Sequence, residues 1–264
     1  MILDRILAAT RRDLPQRQRA VPASTLEVAC SEQTPALDML AALRAPGVGV
    51  IAECKRASPS KGALNLGIEP SELGLSYAKA GCAALSILTE PRYFRGSGQD
   101  LLDARESLAA AGCPRPLLRK DFIVDRYQLL EARAWGADAA LLIVAALSDG
   151  ELAELFAAAC DLGLTPLIEV HNSAELERAL TLDPPLIGVN NRNLHDFSVS
   201  LETTRALRPL IPEGIVVVSE SGIHQPAQMR DLADMRVDAA LVGESLVTAD
   251  DPAAQLRALR EAGR

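Results

Sequence analysis

The stretch VIAECKRASPSKG, residues 50–62, begins as an apolar strand and ends in groups that can do chemistry. Glu53 and Lys55 are two residues apart, so that on a strand both side chains project from the same face. A carboxylate beside an ammonium stabilises both charged forms, which keeps both available for proton transfer or anion binding at neutral pH. Ser58 follows in a loop that is stiffened by Pro59, whose ring fixes one backbone dihedral. The pattern predicts that this end of the strand lies in a catalytic or binding site.

Five further apolar segments end in polar groups of the same kinds. A single charge at the end of a strand usually marks a chain that reaches solvent, and a lone lysine is usually solvated. Six such ends at one rim would focus charge on one mouth, and they predict a substrate site that holds an acid, a base and an anion together. The five further groups are Arg119-Lys120-Asp121, Glu169 with His171 and Asn172, Asn190-Asn191-Arg192, Ser219-Glu220-Ser221-Gly222 and Gly243-Glu244-Ser245.

The elements that must position these residues are eight short apolar runs, each followed by a helical pattern. Most runs are continuous rather than alternating, which is typical of strands buried on both faces of a parallel sheet. Eight strand–helix units predict a (β/α)8 TIM barrel. The alternative, a doubly wound sheet, usually carries a glycine-rich fingerprint after its first strand, and this sequence lacks it. The runs are 47–55, 84–90, 115–122, 139–147, 165–171, 185–191, 214–221 and 239–246.

In such barrels the chemistry lies at the carboxyl ends of the strands, and phosphate often binds at the loops after strands seven and eight. The segment SESGI, residues 219–223, spans the end of run seven, and VGESLV, residues 242–247, spans the end of run eight. Both supply serine and glycine where a backbone must approach a ligand closely. We therefore expect a phosphate site there. Strand four alone ends apolar, at Leu141 and Ile143.

The first 46 residues precede the first strand, and we expect them to form an N-terminal helical extension packed over the barrel. Two segments in this region, 3–18 and 34–47, have helical patterns. No low-complexity linker or composition shift marks a boundary, so we expect residues 1–264 to form a single barrel domain.

Composition limits the classes of function. The chain has 264 residues, a net charge of -8 and 48% apolar residues. An acidic surface argues against a nucleic-acid-binding face. The five cysteines are odd in number and form no CxxC pair, which indicates free thiols in a reducing cytoplasm. Neither a signal peptide nor an apolar run long enough to span a membrane is evident, and the histidines lack metal-ligand spacing.

The sequence contains the motifs IAECKRASPSKG, LLRKDFIVDRYQLLEARAWGADAALLIVAAL, PLIEVHN, IGVNNRNL, VSESGI and LVGESLV. These six motifs resemble those of indole-3-glycerol phosphate synthase of tryptophan biosynthesis, and the similarity runs from the N-terminal helix to the last strand. The resemblance implies a carbon–carbon lyase (carboxy-lyase) of aromatic amino-acid biosynthesis. It implies the substrate 1-(o-carboxyphenylamino)-1-deoxyribulose 5-phosphate, with no cofactor and no metal.

The resemblance also implies roles for individual residues. Lys120 matches the family's general acid for ring closure, and Glu53 and Glu169 match its two glutamates. The division of work between these carboxylates and Lys55 stays open, because Lys55 suits phosphate, carboxylate or a proton. The remaining catalytic residues by resemblance are Asn190 and Glu220.

The resemblance further implies residues that bind the substrate. Arg192 and Ser221 are implied to line the site, and Leu141, Ile143, Phe122, Phe94 and Leu194 to form a slot for the aromatic ring. The phosphate is implied to bind Lys55, Ser58 and the backbone N–H groups of Gly222, Gly243 and Glu244. Glu244 departs from the serine of many relatives, and its carboxylate would repel phosphate unless it turned away.

Two other functions compete with this one. A Schiff-base aldolase on the same barrel would use Lys120 or Lys55 as its nucleophile. A non-enzymatic barrel could bind a phosphate metabolite, although it would not need the catalytic groups that are present here. The oligomeric state stays open: relatives work as monomers or are fused to other enzymes of the tryptophan pathway, so that association with such enzymes is an alternative.

Overall fold

Eight parallel strands close into a ring in the computed structural model, which describes residues 2–194 and 196–264. Each strand is buried almost throughout, which explains why the apolar runs in the sequence are continuous rather than alternating. All eight apolar runs of the sequence become strands. They are β1 Gly49–Cys54, β2 Ala84–Leu88, β3 Leu117–Lys120, β4 Ala139–Ile143, β5 Thr165–Val170, β6 Leu186–Asn190, β7 Val216–Glu220 and β8 Ala239–Val242.

The ring closes between the first and the last strand. Strand β1 pairs with β8, with Gly49 opposite Ala239, and with β2, with Ile51 opposite Ala84. Every other strand pairs in parallel with its neighbour in sequence. The fold is therefore a (β/α)8 barrel, as predicted, and closure excludes the open doubly wound sheet. All carboxyl ends meet at one rim.

Helices surround the ring, and two layers of core hold it together. Residues such as Ile51, Leu118 and Leu141 fill the inside of the barrel, whereas a larger cluster packs the strands against the helices. None of the helices in the described part of the chain has the length and apolar character needed to cross a membrane. From the fourth onwards they are α4 Pro70–Ala80, α5 Gly98–Ala110, α6 Arg126–Ala134, α7 Asp149–Asp161, α8 Ser173–Leu180, α9 Glu202–Leu207, α10 Pro226–Asp234, α11 Glu244–Val247 and α12 Pro252–Ala262.

The segment before β1 is helical; its first helix matches the pattern over 3–18, whereas the rest differs from what the sequence predicts. It contains α1 Ile2–Ala20, α2 Ala23–Glu32 and the short α3 Met39–Leu43, while Met1 lies outside the described residues. The helix expected over 34–47 is short because Asp38 caps it, accepting a hydrogen bond from the Ala41 N–H at 2.9 Å. The sequence pattern does not predict helix α2. Tertiary contacts with α6 stabilise it; for example, Gln33 Nε2 at its C-terminal end donates a hydrogen bond to the Ala134 carbonyl.

Candidate active site

The structure brings every residue to which the resemblance gives a catalytic, substrate-binding or phosphate-binding role to one pocket at the carboxyl rim of the barrel. The pocket has a polar floor, an apolar side and a glycine-rich side. Its lining residues that the sequence had indicated are Glu53, Lys55, Ser58, Phe94, Lys120, Phe122, Leu141, Ile143, Glu169, Asn190, Arg192, Leu194, Glu220, Ser221, Gly222, Gly243 and Glu244.

An ammonium between two carboxylates forms the floor of the pocket. Lys120 ends β3, Glu169 lies on β5 and Glu220 ends β7. Lys120 Nζ lies 3.1 Å from Glu169 Oε2 and 3.3 Å from Glu220 Oε2. The residues come from alternate strands, whose inward side chains share a layer in this fold. The geometry places one cation within proton-transfer distance of two carboxyl groups.

The burial of these three groups makes their charge states unequal. Burial works against a charged Lys120, but Coulomb attraction from Glu169, Glu220 and Glu53 outweighs it and raises the lysine pKa. Burial also works against a Glu169 carboxylate, but Lys120 and His171 outweigh it and lower the pKa of Glu169. For Glu220, burial and then the neighbouring Glu169 prevail over Lys120 and raise its pKa. Lys120 therefore stays protonated, Glu169 stays ionised, and Glu220 retains its proton more readily than an ordinary glutamate.

Room for the Glu220 carboxyl group depends on the glycine at position 188 of β6. A Cβ there would lie 3.2 Å from Glu220 Cδ and closer still to its Oε1. That Oε1 is buried without a hydrogen-bond partner in the described chain. An unpaired oxygen of this kind is costly on an ionised carboxylate, so the pocket under Glu220 suits the protonated acid.

A second charged pair lies at the end of β1, where the sequence predicted it. Lys55 Nζ lies 2.7 Å from Glu53 Oε1, and Ser86 Oγ lies 3.4 Å from Glu53 Oε2. A Cβ at position 243, after β8, would lie 3.1 Å from Lys55 Nζ and closer to Glu53 Oε1. Gly243, which has no Cβ, therefore leaves the space that the Glu53 and Lys55 side chains occupy. Cys54, between the two, belongs to the core that packs the strands against the helices.

The loop after β1 folds across the pocket mouth. A two-stranded hairpin, Ala57–Ser58 with Gly62–Ala63, shapes its tip. Arg56 anchors its base, donating from Nη1 and Nη2 to the Asp100 carboxylate at 2.7 and 2.9 Å. Arg192 Nη1 lies 3.5 Å from Ser60 Oγ, so it links the loop to the end of β6. The loop therefore brings Ser58 to the pocket.

The apolar side of the pocket contains two phenylalanines. The ring centroids of Phe94 and Phe122 lie 6.0 Å apart and are tilted by 40°, a favourable aromatic arrangement. The Glu90 carboxylate fixes the loop of Phe94, since it accepts hydrogen bonds from the N–H groups of Tyr93 and Phe94 at 2.6 and 3.0 Å. The remaining apolar lining includes Leu141, Ile143, Leu194 and, from α1, Ile2, Leu3 and Ile6.

The α1 side chains are lining residues that the sequence reasoning missed. Their pattern in the sequence indicates only an amphipathic helix. The contacts that seat them over the pocket are long-range: Tyr127 Oη donates to the Arg17 carbonyl at 3.1 Å, and Arg17 Nε donates to Glu131 at 3.0 Å.

The opposite side consists of a tight turn after β7 and the start of helix α11 after β8. Ser221 and Gly222, after β7, have φ values of 66° and 84°, both in the left-handed region. A Cβ on Gly222 would lie 2.6 Å from Val199 Cγ1, so only glycine fits this close approach. Glu244 points its carboxylate toward Lys61, with 3.5 Å between Oε1 and Nζ. Because the Glu244 carboxylate is turned to Lys61, it does not prevent the backbone N–H groups at this position from binding an anion.

Five polar groups that were expected at the rim do not line the pocket; they are Arg119, His171, Asn172, Asn191 and Ser219. Arg119 was grouped with the rim charges of strand three, but its side chain is fully buried on the helix side of the barrel. It donates to Asp121 Oδ2 at 2.8 Å and to Glu131 Oε2 at 3.2 Å, and it stacks on Trp135 at 4.6 Å. Because strand side chains alternate, the neighbour of an inward Lys120 must point outward.

Comparisons with known proteins agree with this geometry. A family model for indole-3-glycerol phosphate synthase matches residues 3–259. The indole-3-glycerol phosphate synthase of a Polaromonas species is 45% identical over 262 residues, 98% of this chain and 97% of that protein. The protein of the same name from Roseiflexus castenholzii is 47% identical, with the same coverage of both chains.

Solved structures support the fold. 3-Hexulose-6-phosphate synthase from Salmonella typhimurium has a TM-score of 0.63 at 12% identity and covers 81% of this chain and 98% of its own. Thiamine phosphate pyrophosphorylase from Pyrococcus furiosus has a TM-score of 0.61 at 18% identity and covers 83% and 96%. Since the distant structures show the barrel and the full-length relatives show the family, the chain belongs to the indole-3-glycerol phosphate synthase family.

Proposed function

We propose that this chain converts 1-(o-carboxyphenylamino)-1-deoxyribulose 5-phosphate into indole-3-glycerol phosphate, carbon dioxide and water, as a carboxy-lyase of tryptophan biosynthesis. The observation that carries the proposal is the Lys120 ammonium, which lies 3.1 Å from Glu169 and 3.3 Å from Glu220 at the floor of the pocket. The apolar side suits the aromatic ring, and the glycine-rich side suits the phosphate.

In the first step, the aromatic carbon that bears the carboxylate bonds to the ribulose carbonyl carbon, and negative charge collects on the carbonyl oxygen. We assign Lys120 as the acid that donates a proton to that oxygen. The bond to the carboxylate then breaks, carbon dioxide leaves, and the electron pair restores the aromatic ring. Arg192 is assigned to orient the leaving carboxylate through its planar guanidinium, with Asn190 beside it.

The second step removes water. We assign Lys55, held by Glu53 at 2.7 Å, to protonate the hydroxyl that leaves. The Glu169 carboxylate takes the proton that is lost as the new double bond forms. Glu220, whose raised pKa keeps it neutral more readily, holds Lys120 without competing with Glu169 as a base.

We further propose that the substrate phosphate lies against the backbone N–H groups of Gly222, Gly243 and Glu244, with Ser58 and Lys55 nearby. Gly222 and Gly243 allow a close backbone approach, and Glu244 is turned to Lys61. Phe94, Phe122, Leu141, Ile143 and Leu194 are assigned to the ring slot, and Ser221 to the sugar.

The Schiff-base alternative requires a neutral lysine amine as its nucleophile. The raised pKa of Lys120 supports an acid in this position instead. Borohydride in the presence of a keto-phosphate would trap a covalent adduct of an aldolase, and we expect no adduct here.

The test of the proposal is to mix the protein with the substrate and to follow indole absorbance or fluorescence. We expect product from the natural chain, and no turnover from Lys120→Met or Glu169→Gln although both still bind substrate. No indole product from folded natural protein would refute the function. Near-normal turnover in both variants would refute only the assigned roles.

We also infer that residues 1–264 act as one catalytic domain, with residues 1–46 as its extension, and as a monomer in the cytoplasm. All five cysteines are free thiols, which suits a reducing compartment. Sedimentation of the active protein at the mass of one chain would support the monomer, whereas co-migration with other tryptophan-pathway enzymes would indicate an assembly.

A further inference from the structure

His171, the residue that follows β5, lies between two glutamates behind the pocket floor. Its Nε2 is 3.3 Å from Glu169 Oε1, which is an ion-pair distance without hydrogen-bond geometry, and its Nδ1 is 3.0 Å from Glu175 Oε2. The side chain is only 10% exposed. Among the residues that the structure describes, His171 is not one of those that line the pocket. It therefore contacts a catalytic carboxylate from the side away from the substrate.

The outer glutamate is itself held rigidly. Glu175 Oε2 also accepts a hydrogen bond from the His171 backbone N–H at 2.9 Å, and Glu175 Oε1 accepts one from Asn172 Nδ2 at 2.6 Å. Asn172 in return caps α8, accepting from the Glu175 N–H at 2.9 Å. These bonds fix the ring of His171 in one orientation, with Nε2 toward Glu169.

Glu169 therefore has a different cation at each of its two oxygens. Oε2 faces Lys120 at 3.1 Å, and Oε1 faces His171 at 3.3 Å. We propose that His171 is a positioning residue, which holds the Glu169 carboxylate in place and in its charged form for the proton transfer assigned to it above. This inference rests on the proposed function.

The electrostatics agree with this geometry. Burial works against a charged imidazole, but the charges of Glu169 on β5 and Glu175 on α8, together with the hydrogen bond to Glu175, outweigh it and raise the pKa of His171 to about 10. These two carboxylates are the titratable groups that face the ring in the described part of the chain, and Lys120 acts beyond Glu169. His171 is therefore a cation across the physiological range.

The experiment compares the pH dependence of kcat in the natural protein and in His171→Gln, with turnover followed by indole fluorescence. The glutamine keeps an amide donor and removes the charge. Because an opposite charge within 4–6 Å lowers a carboxyl pKa by about one unit or more, we expect the acid limb of kcat to move upward by about one pH unit. Plateau kcat should fall about tenfold as the carboxylate loses its fixed position, and KM should stay within about twofold.

Two further variants make the test specific. Glu175→Gln keeps the imidazole but removes its outer carboxylate, so that the alkaline limb of kcat should move to lower pH even if His171→Gln folds poorly. Glu177→Gln removes a carboxylate that is exposed on the same helix, and it should leave both limbs unchanged.

The outcomes separate the two claims. Indole product from the natural protein with both limbs unmoved in His171→Gln and Glu175→Gln would overturn the role of His171 and leave the proposed function intact. A lower melting temperature without a shifted limb has the same meaning, because it indicates a purely structural role. A natural protein that makes no indole product refutes the function on which this inference rests.

Discussion

Replacement of Gly188 by alanine tests whether the carboxyl group of Glu220 must lie where it does. The new Cβ would lie 3.2 Å from Glu220 Cδ and from Leu167 Cδ1, and closer than 3.0 Å to Glu220 Oε1. The backbone at position 188 is not in the left-handed region, so the steric contact is the main effect. The carboxyl group must move by about 1 Å to relieve it.

The size of the two effects follows from this displacement. One added methyl group in a packed interior lowers the free energy of unfolding by about 1–3 kcal/mol, and the value should be near 1 because the end of a side chain yields more easily than backbone. A shift of about 1 Å in a group 3.3 Å from Lys120 Nζ should lower kcat about 100-fold. Catalysis should therefore suffer more than stability.

The assay measures indole formation at saturating substrate and unfolding in urea on the same preparations. Gly150→Ala is the matched control, because a Cβ there has nothing within 4 Å; it should leave kcat unchanged and unfolding within about 1 kcal/mol. A folded Gly188→Ala protein with kcat within twofold of the natural value would refute the reasoning that this glycine positions Glu220.

Three further outcomes follow from the structure. Arg119→Met removes a buried guanidinium from Asp121 and Glu131 and should lower the free energy of unfolding in urea by about 3 kcal/mol; a loss below 1 would contradict the network. Glu244→Gln removes a carboxylate beside the proposed phosphate site and should lower KM about twofold without changing kcat, whereas a higher KM would show that the carboxylate assists binding. The pKa of His171 is raised from 6.5 to about 10, so the stability that its charge contributes is complete below pH 6.5 and lost as pH rises to 10. Unfolding free energies of natural protein and His171→Gln should therefore converge over that interval, and a constant difference would exclude the charge as the cause.

The sequence alone was sufficient to predict the closed ring of strands and most of the polar residues at its carboxyl rim. Strands buried on both faces give continuous apolar runs, which are easy to see, and parallel strands must bring their carboxyl ends to one side. Glu53 and Lys55 were recognised because the strand repeat of two puts them on one face. The same rule assigns Arg119 to the outer face, because its neighbour Lys120 points inward. Local periodicity is therefore sufficient to predict the orientation of Arg119.

Other features depend on contacts between distant parts of the chain. Ile2 and Ile6 have the pattern of any amphipathic helix, and only the docking of α1 puts them at the pocket. The role of His171 depends on the distance to Glu169, and on the turn of Glu175 back toward the ring. Helix α2 has weak amphipathic character, so that its packing on α6 rather than its own sequence determines it.

The closing pair of strands has a consequence for the refolding kinetics. Glu53 and Lys55 lie at the end of the first strand, and Gly243, which makes room for them, follows the last strand, so almost the whole barrel separates them in the chain. Contacts of such long sequence separation form late, because they carry the largest loop-closure entropy. Enzyme activity should therefore recover after the helical circular dichroism signal, and the delay between the two measures the time that the ring takes to close.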